Sequence, residues 1–442
     1  MDYVKFLNSK KIEVKETGFE ADESKFNKNL KDFQKYGLSV ALRKGKFAFF
    51  FDCGLGKTIS QLEWANQVFA HTKKKVLILA PLAVVEQTKE EAAKFNIPLE
   101  CFDIINYEQL INTDVSIYSG VVIDESSILK GRDGKTSRLL IDTFKHFKYK
   151  LCCTATPSPN DHMELGYHSE FLGYMSYLEI LAMYFVHDGG QTSKWRLRKH
   201  AEDDFWKYVC TWSMAIDNPS TLGFCGDGYS LPEISYIEHF IKVENNSNTL
   251  FGDVAVSATD LHRDLRRSLN DRLKITADMV NNSSEQFIIW CLGNKEADEI
   301  TKLIPDSINV QGSDKAHIKA KNLLGFAKGE FRVLVTKAEI AAMGMNYQNC
   351  NNMIFMSYDF KFEKFYQAVR RCYRFGQTKN VNVHLLIPES QTNVRNSILE
   401  KQDQHFEMIK QMSIYSSQQD YKKNIPEREY KEQIINLPNF II

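Results

Sequence analysis

The chain has 442 residues, 43% of them hydrophobic and 25% charged, and its 56 basic side chains balance 56 acidic ones. This is ordinary globular composition, enough for two to three domains of about 150 residues. The balance gives no support to a polybasic chain but leaves local basic patches open. The nine cysteines form no CxxC pair or Cys/His cluster, which points away from a structural zinc and from a disulfide framework. No apolar run approaches the ~18 residues that cross a bilayer, and Met1–Lys5 opens no signal-peptide pattern. The expectation is a soluble protein of a reducing cytoplasm, without a membrane partner.

Residues 1–28 are polar and mixed in charge, with a short strand-like Phe6–Val14 segment. An amphipathic helix follows from Leu30 to Leu42 and carries Gln34. Phe47–Phe51 is an apolar run suited to a strand covered on both faces, and Ile59–Phe69 restores helical spacing. Between them lies Asp52-Cys-Gly-Leu-Gly-Lys-Thr58, so strand, loop and helix stand in the order of a phosphate-binding loop. There Gly54 and Gly56 let backbone N–H groups wrap phosphates, Lys57 reaches the β- and γ-phosphates, and the Thr58 hydroxyl ligates Mg²⁺. The full GxxxxGK(S/T) pattern has glycine where this chain has Phe51.

Lys75–Leu82, Phe102–Tyr107, Gly120–Glu125 and Tyr149–Pro157 repeat the strand rhythm with helices between, which predicts a parallel α/β sheet with ligands at its C-terminal edge. Asp124-Glu125 closes one of these buried strands. A carboxylate pair there divides two tasks: Asp124 holds Mg²⁺ and Glu125 polarises the water that attacks the γ-phosphate.

Ser158 to about Leu231 lacks the strand rhythm and is rich in aromatics, so it reads as a mostly helical insertion. Within it, Thr192–His200 carries Lys194, Arg196, Arg198 and Lys199 and either tracks a phosphate backbone or is a solvated helix end. Leu231-Pro232 marks a boundary, and Ile234–Val243 is strand-like. Leu261, Leu265, Leu269 and Leu273 then define a helix flanked by Arg263, Arg266, Arg267 and Arg272. Gln286–Leu292, Phe331–Thr336, Asn352–Ser357 and Asn380–Ile387 form a second α/β region. The predicted fold is α/β, two RecA-like parallel-sheet lobes in tandem with a helical insertion. Its divisions are 1–158, 159–232, 233–390 and a helical tail at 391–442.

The motifs Leu-Lys-Asp-Phe-Gln34, Asp-Cys-Gly-Leu-Gly-Lys-Thr58, Leu-Ala-Pro-Leu82 with Gln87, Ile-Asp-Glu-Ser-Ser127 with Lys130, and Thr-Ala-Thr-Pro157 resemble, in order, the first-lobe motifs of the Swi/Snf-like ATPases of helicase superfamily two. Val-Thr-Lys-Ala338 with Gly344-Met-Asn346 resembles the fifth motif, and Gln367 to Gln377 the QxxxRxxRxGQ sixth motif. The length resembles the compact phage and prophage members. The resemblance implies that Gln34 recognises adenine, that Gly344 and Gln367 belong to the nucleotide site, and that Arg371 and Arg374 are arginine fingers from the second lobe. It also implies ATP and Mg²⁺ as ligands, hydrolysis to ADP and phosphate, and DNA, duplex favoured, as partner. Partners in replication or recombination are not readable. Arg371 and Arg374, three residues apart, share a helical face independently of any family. Three positions depart from the pattern: Ser127 replaces histidine, Thr88 tryptophan and Arg370 aspartate, which bears on coupling to DNA. Rival readings are a strand-separating helicase with a wedge among Trp195, Trp206 and Trp212, a small-molecule P-loop kinase, and a nucleotide-gated DNA-binding module.

Overall fold

The computed structural model describes residues 16–131, 134–187, 195–242, 258–341, 346–359 and 361–419. The phenylalanine run is the strand β1 (Lys46–Phe51), and Phe47 to Phe51 have no exposed surface. Alternation of side chains divides the run between two cores. Phe47, Phe49 and Phe51 pack with Phe33, Leu62 and Trp64, while Ala48 and Phe50 pack with Phe171 and Trp212 on the other face.

Around β1 the first sheet gathers β2 (Val76–Ala80), β3 (Phe102–Asn106), β4 (Gly120–Asp124) and β5 (Tyr149–Cys153). All pair in parallel, in the order β3-β2-β4-β5-β1. Helices α1 (Asp32–Lys44), α2 (Lys57–Thr72) and α3 (Val85–Lys94) supply part of the cover.

The expected insertion is helical at Leu165–Leu172, Tyr177–Tyr184 and α4 (Glu202–Trp212), but not throughout. Phe185–His187 and Trp195–Leu197 form a small antiparallel ribbon, β6 and β7. Ser213–Ile216 is β8, which pairs in parallel with β1 and completes a sixth strand of the first sheet. Four residues directly after a helix are too few to show an alternation, which is why this strand escaped the pattern. Trp206 and Trp212 are core residues at 2% and 0% exposure, so neither is available as a wedge. Of the basic stretch, Lys194 lies outside the described residues. Arg196 and Lys199 are exposed, and Arg198 donates to the Met183 carbonyl at 3.2 Å.

The second sheet holds β9 (Ile234–Ile241), β10 (Phe287–Trp290), β11 (Ser307–Val310), β12 (Val333–Thr336), β13 (Asn352–Phe355) and β14 (Val381–Pro388). It too is all parallel, in the order β11-β12-β10-β13-β14-β9. The leucine-spaced segment is two helices, Ala258–Arg267 and α5 (Leu269–Asn281). Arg272 does not belong to a basic flank. It is wholly buried and donates to Glu296 at 2.7 Å and to the carbonyls of Met356 and Leu265 at 2.7 and 2.5 Å. Leucine spacing marked the segment as helical but not its break at Ser268, and residue 272 falls beside Leu273 on the inner side of α5.

After the sixth-motif helix α6 (Phe362–Val369) and β14, the chain ends its described part in the long helix α7 (Thr392–Gln418). Val394 and Ile398 fill the second lobe's core, while Met408, Ile409 and Met412 fill the first lobe's. The Ser416 hydroxyl accepts from the Ala215 amide of β8 at 3.3 Å. The tail is thus a strap across both lobes.

Candidate nucleotide site between the lobes

Beyond β1 the backbone turns through Gly54 and Gly56, at φ +90° and +74°, the left-handed region that favours glycine. Space adds to the demand at Gly56, where a Cβ would sit 2.2 Å from the Gln34 amide nitrogen. That amide donates to the Leu55 carbonyl at 2.8 Å, and the Gln34 oxygen accepts from the Lys31 amide at 2.7 Å. Gln34 therefore ties the start of α1 to the loop, lying behind it and outside the lining of the cleft. Lys57 opens α2 and donates to the Phe51 and Asp52 carbonyls at 2.9 and 3.3 Å, so its charge lies over the loop.

Asp124 ends β4 beside the loop, and Glu125 follows in a left-handed conformation at φ +54°. A non-glycine residue held there is strained, and such strain gathers at functional sites. The Tyr107 hydroxyl fixes the turn by donating to the Asp124 carbonyl, and Thr154 donates to the Glu125 carboxylate at 3.4 Å. Burial, then the adjoining Glu125 carboxylate, pushes the Asp124 carboxyl above the usual range, with Lys57 pulling the other way. Burial also raises Glu125, opposed by Lys57 and by Arg371 of the other lobe. The mutual repulsion of two adjoining carboxylates suits a nearby cation, and the Thr58 hydroxyl with Asp124 is a hard oxygen set of the kind Mg²⁺ takes.

The second lobe closes the site. Gln367, Arg371 and Arg374 line the same cleft of ≈ 540 Å³ as Gly54, Gly56, Lys57, Thr58, Asp124 and Glu125. The loop bearing the arginines is pinned from behind. Gln377 donates to the Cys350 carbonyl at 3.0 Å and accepts from the Thr378 and Lys379 amides, and the Tyr347 amide donates to the Arg371 carbonyl at 2.9 Å. Burial lowers the proton affinity of Arg374, and the guanidiniums of Arg371 and Arg370 add to that effect. Gly344 lies outside the described residues.

Glu91 and Glu363 in the cleft, and Asp52 beside it, were not singled out from the sequence. Glu91 faces Gln87 one helical turn away, and burial raises its carboxyl. The Gln87–Glu91 spacing on one helical face was the available signal. Glu363 accepts from Ser127 at 2.5 Å and from Lys130, joining the lobes at a position where the sequence departs from its family pattern. It stands one helical turn before Gln367 on the sixth-motif helix, which ends at Val369, so Arg371 and Arg374 lie in the turns beyond it and do not share the helical face expected of them. Asp52, just outside the cleft, is held by Tyr366 and Arg370 of the second lobe.

Residues 271–376 match the family model of the helicase conserved C-terminal domain, which spans the second lobe from α5 through the arginine loop. The bovine (Bos taurus) DNA annealing helicase and endonuclease ZRANB3 is 22% identical over 421 residues, covering 82% of this chain. Both findings agree with the resemblance to the Swi/Snf-like ATPases of helicase superfamily two. The chain spans 39% of the length of that bovine relative. Among solved structures, Saccharomyces cerevisiae Dbp5 bound to RNA and ADP BeF3 superposes with a TM-score of 0.52 at 12% identity, covering 86% of this chain and 93% of that one. That likeness supports the tandem RecA-like fold and shows the fold alone. The Sulfolobus solfataricus SWI2/SNF2 ATPase core in complex with dsDNA matches at 17% identity and a TM-score of 0.41, over 90% of this chain and 96% of its own.

Proposed function

We propose that this protein is a superfamily-two, DNA-dependent ATPase that hydrolyses ATP to ADP and phosphate between its lobes and uses lobe closure to step along duplex DNA. The observation that carries the reading is the convergence of Lys57, Asp124 and Glu125 from one sheet with Arg371 and Arg374 from the other on a single cleft. The loop amides and Lys57 hold the β- and γ-phosphates at the N-terminus of α2. Thr58 and Asp124 would hold Mg²⁺, which when bound neutralises charge on the phosphates. Glu125, its proton affinity raised by burial, accepts the proton of the attacking water as the bond from the γ-phosphorus to the bridging oxygen breaks. Arg371 and Arg374 stabilise the charge that develops on the transferred group. Two arginines delivered by a second α/β lobe have no use in a small-molecule kinase, and the burial of Trp206 and Trp212 leaves the half-buried Trp195 alone of the three residues named for a strand-separating wedge. The name of the bovine relative favours DNA as the polymer.

The test is phosphate release with no nucleic acid, single-stranded DNA, duplex DNA, forked DNA and RNA, alongside strand displacement. Duplex DNA should stimulate most, without displacement, and Lys57→Ala should abolish turnover in folded protein. Turnover indifferent to every nucleic acid would defeat the motor reading.

A further inference from the structure

Arg370 stands where the family pattern has aspartate, and its surroundings give the arginine a purpose. Its guanidinium pairs with the Asp52 carboxylate, on the residue that leaves β1 for the phosphate-binding loop. The other Asp52 oxygen accepts from the Tyr366 hydroxyl at 2.7 Å and from the Cys53 amide at 2.6 Å. The pair lies out of solvent, with Arg370 at 8% exposure and its guanidinium over the rings of Tyr366 and Tyr373, 5.7 and 5.4 Å from their centroids. His405 of the strap α7 packs against Tyr366 with ring centroids 4.8 Å apart, closing the cluster from behind. One end of this contact is therefore the first residue of the loop, and the other is covalently next to Arg371 and four residues from Arg374.

We propose that Asp52 and Arg370 are positioning residues, an interlobe latch that seats Arg371 and Arg374 over the phosphate-binding loop. This rests on the ATPase reading. Arg370 lines the cleft, but its guanidinium is engaged by Asp52, so the latch acts through the two arginines that follow it. A buried charge pair suits the task because the penalty for separating it is steep and directional. The bond is made between oppositely charged groups on two lobes, so it defines one relative orientation of loop and arginines. By contrast, the second bridge, Lys130 to Glu363, has a lysine side chain 34% exposed and tolerates more slack.

The experiment is a double-mutant cycle with Asp52→Asn, Arg370→Gln and the double variant, each checked for folding by circular dichroism. Two readouts run in parallel: kcat and KM for ATP at saturating duplex DNA, and interlobe distance by energy transfer between dyes placed at the exposed Ile111 and Leu303 of the two lobes. Each single variant should lower kcat at least ~10-fold with KM within ~3-fold, and widen the interlobe distance distribution. The double variant, having no unpaired buried charge, should lose far less than the product of the single losses. Arg370→Lys should restore the distance distribution in part. Losses that simply multiply, or an unchanged kcat in proteins that are only less stable, would overturn the latch. If the wild-type chain hydrolyses no ATP, the functional reading fails by itself. The distance cycle then decides the latch: coupled widening upholds it, and unchanged distances reject it.

Discussion

Replacing Arg374 with alanine should yield a protein that is no less stable and nearly inactive. The half-buried side chain lines the interlobe cleft, where partial loss of water and the neighbouring charges of Arg371 and Arg370 disfavour its own charged form. Relieving one like-charge contact at a partly wetted site is worth on the order of 1 kcal/mol, less the lost attraction to Glu91. The melting temperature should therefore hold or rise by roughly 2–4 °C. Catalysis should move the other way. An arginine that neutralises charge only as the γ-phosphoryl group transfers contributes about 10³–10⁵ to turnover, or roughly 4–7 kcal/mol of barrier. On the proposed mechanism ground-state ATP binding rests mainly on the first lobe, so KM should stay within about threefold. Arg374→Lys should recover little, because an ammonium lacks the planar fork. The assay is steady-state phosphate release at saturating duplex DNA, with thermal unfolding on the same preparations. Near-normal DNA-stimulated turnover by Arg374→Ala would refute the two-lobe mechanism and leave the phosphate-binding loop standing alone.

Arg272→Met should destabilise the second lobe by about 3–5 kcal/mol, because it strands the buried Glu296 carboxylate. A calorimetric loss below ~1 kcal/mol would show that water reaches the pair. Lys150 is pushed down to about 8 by burial, and then by Lys46, from an ordinary 10.5. Between those values the unfolded chain holds more protons than the folded one, so this group makes stability rise as pH increases from about 8 to 10.5. Lys150→Met should accordingly gain on the order of 1–2 kcal/mol at pH 7, after loss of its hydrogen bond to the Phe171 carbonyl, and flatten that rise. Denaturant titrations at pH 7 and 10 read both effects, and a loss of stability at pH 7 would contradict the burial argument. Neutralising the exposed Arg196 and Lys199 together should reduce the salt dependence of DNA binding by about 0.9 per lost phosphate contact. An unchanged slope in a fluorescence-anisotropy titration would leave them a solvated surface.

What the sequence made legible follows from how local the signal is. Strands buried on both faces, such as Phe47–Phe51 and Gly120–Asp124, announce themselves as unbroken apolar runs, and the two sheets follow from them. The loop and the Asp124-Glu125 turn are contiguous and chemically specific. Other features depend on partners far away in sequence. Ser213–Ile216 becomes a strand only because β1 offers a free edge. Arg272, apparently a solvated basic residue, is paid for by Glu296, which no local pattern ties to it. Arg370 reads as a defect until Asp52, in the other lobe, is seen beside it. Charges that serve an interface carry no periodicity of their own, so the two ends of each contact look unrelated until the fold joins them.

The strap α7 bears on how the protein is made. Ala48 and Phe50, near the beginning of the chain, share one core with Met408, Ile409 and Met412. A nascent chain that has already released both sheets, down to Pro388, still lacks three side chains of its first core. The first lobe can collapse early around its local βαβ units, but the apolar surface under α7 stays open until residues near 416 leave the ribosome. During translation the first lobe therefore waits on α7, and a ribosome stalled between β14 and α7 would hold out a sticky, unsealed lobe.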